Sequence, residues 1–340
     1  MKKYFLLFAI AMLAGAALVS CMNGPSEKAP AALNSGEPVE DATPGGCDAS
    51  GLRIRYERVA YINEEYPLRS VTVARSKEDL KPISDIYLDY ARKNTIDKEY
   101  VPRIVNDLGV YDDAFFDEKN LIVVRFDSGS GSIRFKVTGV ENDENGDLTV
   151  SVDKICPEMG TADMAAWAIL IETDSSFIPG RATENSLKMS DVILGGFRFG
   201  VRWGCYGISS YDLSTGKLVK TTDATHPENY VTYFRPSLDE QYEIYKMIVG
   251  LDVFSYPDEF DPFNAPDAEE RVSSEPSATI ELYVTIGGSE KRITAPNVCL
   301  SYRSEYEKGQ KFLDVVKYIT DILTSSKEWE ALPDYEVYYE

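Results

Sequence analysis

Four strand-like runs, at 121–126, 133–140, 148–155 and 165–172, follow one another with no room for a helix between them. Parallel neighbours need a crossover of a dozen or more residues, so spacing this short favours antiparallel pairing. Ser128-Gly129-Ser130-Gly131 and 142–147 are turn chemistry, and Asn145-Gly146 tolerates the positive φ that a hairpin demands. The spacing predicts a meander. Upstream, 53–62 and 70–74 read as strands. Leu80, Ile83, Ile86, Tyr87 and Tyr90 then recur at helical spacing. Pro82 suits a first helical turn, which predicts a helix starting near Lys81. A shorter helix is expected over 100–107, stopped by Gly109.

Residues 174–190 read as an interdomain connection. Beyond them, 197–203 alternates as a strand, is interrupted by Trp203-Gly204-Cys205-Tyr206-Gly207, and is followed by a second strand at 208–213. Ser214-Thr215-Gly216-Lys217 is a turn before Leu218-Val219-Lys220. Ser237 with Glu240 three residues on has the form of a capping box. It introduces a helix carrying Leu238, Tyr242, Tyr245, Ile248 and Val249 on one face, ended by Gly250. Gly287-Gly288 joins 278–286 to 291–295 as a hairpin. Phe312, Val315, Val316, Ile319, Ile322 and Leu323 form the apolar stripe of a last helix. About 290 residues lie beyond the leader and spacer described below, more than one typical domain. The expected fold class is α+β, with two domains, 51–175 and 190–340, each a mainly antiparallel sheet with a few packed helices.

The chain opens with Lys2 and Lys3 before an uncharged, largely apolar run at 4–19, the layout of an export signal. The run is shorter than the roughly 20 residues of a membrane-spanning helix. Leu18-Val19-Ser20-Cys21 resembles the lipobox of bacterial lipoproteins. That resemblance implies a signal peptide at 1–20, a lipidated thiol on Cys21, and a chain anchored in the cell membrane and facing outside the cytoplasm. Each buried acyl CH₂ contributes about 0.8 kcal/mol, so two or three chains suffice for a stable anchor. Residues 21–50 carry Pro25, Pro30, Pro38 and Pro44 with few large apolar side chains, the composition of a flexible spacer. Formal charge is −21, and without Lys2 and Lys3 the exported form carries −23. Such a field repels nucleic acid, so the expected partners are the membrane, through Cys21, and another envelope protein.

Two further resemblances follow. Tyr111-Asp112-Asp113-Ala114-Phe115-Phe116, the Leu121-Ile122-Val123-Val124 run, the Gly-Ser turn, Leu148-Thr149-Val150-Ser151-Val152 and Pro157 are similar in order to the C-terminal domain of PrcB, a protein that stabilises a protease complex. The likeness spans 111–173 and implies a small antiparallel sheet that binds other proteins. It departs at the hairpin, where Gly129-Ser130-Gly131-Ser132-Ile133 replaces the family's adjacent glycines and aromatic. Over 197–340, Trp203-Gly204-Cys205-Tyr206-Gly207, Thr225-His226-Pro227-Glu228, Ser255-Tyr256-Pro257-Asp258 and Gly309-Gln310-Lys311-Phe312-Leu313-Asp314 resemble a domain of uncharacterised clostridial-type lipoproteins. It implies a lipoprotein and no named activity.

Chemistry-bearing residues are sparse. Cys47, Cys156, Cys205 and Cys299 contain no CxxC spacing and suggest no obligatory disulfide, although a Cys156–Cys205 pair stays open. One histidine in the chain argues against a zinc or serine–histidine centre. Asp258, Asp261 and Asp267 belong to an acidic loop with enough oxygens for Ca²⁺ but without EF-hand spacing; a solvated acidic loop is the better reading. Trp203, Tyr206 and His226 form the candidate ligand-binding set, where glycines permit close approach and rings offer stacking area for a sugar or peptide. A bulged strand whose rings enter the core is the favoured reading of the same residues. No catalytic residue and no cofactor is expected. The reading is a non-catalytic surface lipoprotein that binds a protein or envelope component through sheet faces or edges; the alternative is an extracytoplasmic hydrolase whose site assembles only on folding.

Overall fold

The computed structural model describes residues 46–47, 52–62, 70–94, 100–174, 176–205, 207–221, 229–269, 271–273, 276–299 and 302–334. Cys21, the expected leader and all of the expected spacer except Gly46–Cys47 lie outside them. In the first half the elements are β1 (Gly46–Cys47), β2 (Arg53–Val59), β3 (Val71–Ala74), α1 (Lys77–Lys93), α2 (Tyr100–Gly109), α3 (Asp113–Glu118), β4 (Lys119–Ser128), β5 (Arg134–Asn142), β6 (Leu148–Cys156), β7 (Ala165–Asp174) and β8 (Leu187–Ile193).

Nine consecutive residues of β7 are buried, so both of its faces need cover. That requirement sets the first half. Strands order β1-β2-β7-β4-β3, all antiparallel. Ala166, Ala168 and Leu170 of β7, with Leu121 and Val123 of β4, face a core built with the buried side of α1 and α2. Trp167, Ile169 and Ile171, with Ile122 and Val124, face the other way onto Phe135, Val137, Val150 and Val152 of a second sheet, ordered β5-β6-β8. The expected meander is corrected here. β4 skips the β5–β6 hairpin and pairs with β7, while the hairpin folds across the sheet face. Alternation of apolar residues on both faces of β4 and β7 demands such a sandwich, which a one-sided meander would leave half wet. Ser128–Gly131 is therefore a crossing between sheets, with Gly131 N donating to Asp163 Oδ1 at 3.0 Å. The Asn145-Gly146 hairpin is present: Gly146 has φ +73°, and Asp143 Oδ1 accepts from Asn145 N and Asp147 N.

Helix α1 begins four residues before Lys81, because Ser76 Oγ caps it by accepting from Asp79 N. Pro82 thus sits inside the helix on its exposed side, where the carbonyl it leaves unpaired meets water. The connection expected at 174–190 is not a free linker. Leu148 N donates to Arg181 O and Val150 N to Ser186 O, and β8 pairs in parallel with β6. Gly46–Cys47, expected in the spacer, pairs with β2.

The second half adds β9 (Arg198–Gly204), β10 (Ser209–Asp212), β11 (Lys217–Thr221), β12 (Asn229–Tyr233), α4 (Leu238–Gly250), β13 (Ala278–Ile286), β14 (Ser289–Val298), α5 (Glu307–Thr324) and α6 (Lys327–Glu330). Its antiparallel sheet orders β12-β11-β10-β9-β13-β14. Phe199, Val201, Leu218, Leu282, Val284 and Ile293 point to α4 and α5, whose Ile244, Ile248, Phe312, Val316, Ile319 and Leu323 complete the core. The capping box at Ser237 and Glu240 forms in both directions. Val249, expected in the buried stripe, is 48% exposed, and Ile244 takes that role. The stripe turns because α4 is covered on two sides, by its own sheet and by β6. Tyr242 Oη and Lys246 Nζ donate to Asp153 Oδ2 at 2.9 and 3.0 Å. Lys136 pairs with Glu243 at 3.0 Å, and Ile155 of β6 enters the second core. Asp41–Glu340 accordingly forms one compact unit in which the two halves meet. The fold is α+β with mainly antiparallel sheets.

Candidate functional site: a groove beside Trp203

Of the residues singled out for ligand binding, Trp203 is described, whereas Tyr206 and His226 lie outside the described residues. β9 ends at Gly204 because the backbone there has φ +153° and a Cβ would stand 1.8 Å from Gly207 O. Two glycines thus let the chain turn back on itself immediately after the indole. Trp203 is half-buried at the core margin, opposite Ile280 in the β9–β13 register. Its ring stacks on Trp329, with centroids 5.7 Å apart and planes 29° apart. Trp329 is itself fixed: Ser326 Oγ caps α6 by accepting from Trp329 N, and Lys220 Nζ lies 5.1 Å over the ring. Lys220 is buried, donates to Leu332 O at 3.4 Å and has Asp334 at 4.0 Å. The indole leans on the core and also walls an open groove.

That groove has a volume of about 290 Å³ and runs between the ends of β9, β13 and β14 and one side of α5. Trp203, Ile280, Val298 and Leu313 give it an apolar wall, Cys299 contributes a thiol, and Tyr302 stands at its edge, 73% exposed. Gln310, Asp314, Lys317 and Thr320 supply the polar side. These four recur at helical spacing, one row round from the core stripe, so α5 serves core and groove with adjacent faces. Their geometry is set locally. Ser304 N donates to Gln310 Oε1 at 2.7 Å, Gln310 Nε2 to Asp314 Oδ1 at 2.7 Å, and Lys317 Nζ to Asp321 Oδ2 at 2.6 Å. An apolar or ring-bearing group can bury against the indole while its polar edges meet the helix, the arrangement of a binding surface. Sequence reasoning found Trp203 and missed the α5 row. A second helical register of polar residues beside the core stripe is the signal that was there to be read.

The acidic loop is organised by its own backbone. Asp258 pairs with Lys291 at 2.6 Å, and its backbone carbonyl accepts from Thr294 N, laying the loop along β14. Asp261 Oδ1 accepts from Phe263 N and Asn264 N, while its Oδ2 accepts from Asn264 Nδ2. Asn264 in turn clips Val272 through N–H and C=O. Asp267 is exposed. Among the described residues no group of three or more His, Cys, Asp or Glu is placed to hold a metal ion, so Asp258, Asp261 and Asp267 are not gathered as a ligand set. Cys156 and Cys299 are free thiols, and no disulfide joins Cys156 to Cys205. The sheet face turned away from the helices forms a shallow hollow of about 420 Å³, where Arg202 and Arg292 both reach Glu281 beside Tyr283.

No protein-family model matches this chain, and no curated protein matches its sequence.

Proposed function

We propose that the protein is an exported lipoprotein, anchored through Cys21 and displayed at the cell envelope, whose folded part binds a protein or another envelope component without catalysis. The observation that carries the binding reading is the groove walled by Trp203, an indole held in place by Trp329 and flanked by a row of polar side chains from α5. A fixed aromatic ring beside adaptable polar groups offers contact area at low entropic cost. The leader pattern and the resemblance to clostridial-type lipoproteins support the envelope location, and the PrcB-like order of strands supports a protein partner.

Capture from envelope extracts tests the reading, using the chain lacking residues 1–21 and its Trp203→Ala variant side by side. A reproducible partner retained by the parent and lost by the variant is expected. Metabolic labelling with a fatty acid, lost in Cys21→Ser, tests the anchor. An extracytoplasmic hydrolase is the second reading, favoured by a polar cavity where the two halves meet. Turnover of a polymer or peptide library by the soluble form would replace binding with hydrolysis.

A further inference from the structure

The polar cavity at the junction of the halves measures about 300 Å³ and lies apart from the Trp203 groove. Glu158, two residues beyond β6, and Arg198, at the start of β9, form one wall; Ser214, Arg235 and Gln241 form the other. Arg198 is oriented twice over, its Nη1 donating to Phe197 O at 2.7 Å and its Nη2 to Glu158 Oε1 at 2.5 Å. Arg235 is held differently. Its stem lies over the turn glycine Gly216, where a Cβ would stand 3.3 Å from Arg235 Cγ. Its two Nη atoms reach only the carbonyls of Leu213 and Ser214, each at 3.4 Å. Those contacts are longer than the usual N–H···O range of roughly 2.7–3.2 Å. Among the described residues, no carboxylate forms an ion pair with Arg235.

We infer that this cavity is a binding site for a small ligand bearing an oxyanion, a phosphate or a carboxylate, received by the guanidinium forks of Arg235 and Arg198. Among the residues that line the cavity two guanidiniums face one carboxylate, Glu158, while the nearby Asp212 and Glu240 carboxylates are engaged by Ser214 and Ser237. The helix end beside it does not supply the attraction, because the Ser237–Glu240 capping box already occupies it. A planar fork with spare donors matches the two oxygens of a phosphate or carboxylate, and such charge-assisted pairs are shorter and stronger than the carbonyl contacts Arg235 now makes. Glu158 competes with the ligand for Arg198, which gives the site a built-in discriminator. The inference is independent of the groove and of the anchor.

Calorimetric titration of the full-length chain in detergent, with inorganic phosphate, glycerol 3-phosphate and acetate as separate probes, tests it. Saturable binding is expected for at least one probe, weakening as salt rises. Arg235→Gln should weaken it about tenfold, Arg235→Lys should fall between, and Glu158→Gln should tighten it several-fold by freeing Arg198 for the ligand. Preference for the phosphates points to a phosphoester ligand and preference for acetate to a carboxylate, and either supports the oxyanion class. Arg235 is exposed, and thermal unfolding of each variant checks that the fold survives. Absence of binding with all probes up to about 10 mM, or binding indifferent to Arg235→Gln and Glu158→Gln, overturns the assignment.

Discussion

Gly309→Ala sets local propensity against tertiary packing, with opposite signs. Gly309 lies in the first turn of α5 and is fully helical, so intrinsic propensity alone favours alanine by up to about 1 kcal/mol. The neighbourhood reverses this. A Cβ would stand 1.7 Å from Pro262 O and 2.6 Å from its carbonyl carbon, and backbone cannot swing aside as a side chain does. Restoring van der Waals contact requires a retreat of about 1.5 Å. The same carbonyl accepts from Ser304 Oγ at 2.6 Å, a bond between buried groups that the retreat would break. Overpacking costs about 1–3 kcal/mol and the lost hydrogen bond about 1 kcal/mol. Subtracting the propensity gain leaves a net destabilisation of about 1–3 kcal/mol, a melting-point fall of several degrees at roughly 2–4 °C per kcal/mol. The control is Gly250→Ala at the end of α4, where a Cβ meets nothing within 4 Å. It should be neutral or stabilising by up to about 1 kcal/mol. Chemical and thermal denaturation of both variants decide the matter. A Gly309→Ala protein as stable as the parent would show that close approach to Pro262 does not hold the loop against the helix.

Other outcomes follow from the same structure. Tyr242→Phe removes a donor to the buried carboxylate of Asp153 and should cost about 1.5–3 kcal/mol, seen as a lower urea midpoint with unchanged slope; a loss below about 0.5 kcal/mol would make the tie between halves energetically idle. Burial pushes Tyr111 and Tyr256 up to about 12, and burial followed by the bond to Asp153 raises Tyr242. The contribution of Tyr111 and Tyr256 is complete below the unfolded tyrosine value of about 10 and is lost as pH rises through about 12, so stability measured by denaturation should decline across that alkaline window. The hydroxyl of Thr161, the amide of Gly131 and Arg58 hold the Asp163 carboxyl near about 2. That contribution is complete above the unfolded value of about 3.9 and disappears as pH falls through about 2; Asp163→Asn should therefore flatten the acid limb of the stability profile.

The chain announces most of its elements through local rules. Apolar strand-like runs mark β4, β6, β7, β9 and β13, Ser237 with Glu240 caps α4, and the stripe from Phe312 to Leu323 builds the buried face of α5. These depend on neighbours within a few residues, so the sequence alone determines them, and with them the α+β class. Partner choice was decided elsewhere. β4 pairs with β7 across an intervening hairpin because both strands are apolar on both faces, and only the whole fold shows what covers each face. β8, exposed along most of its length, carries too little apolar pattern to be read as a strand, and parallel pairing with β6 creates it. The same holds for function. Trp203 was visible in sequence, but the polar row of α5 gains meaning only beside it, and Glu158 and Arg235, 77 positions apart, face one cavity only after β6 and α4 are brought together around Asp153. Local propensity acts over a helical turn or a strand pair, whereas a binding surface is built from segments that only long-range burial brings into contact.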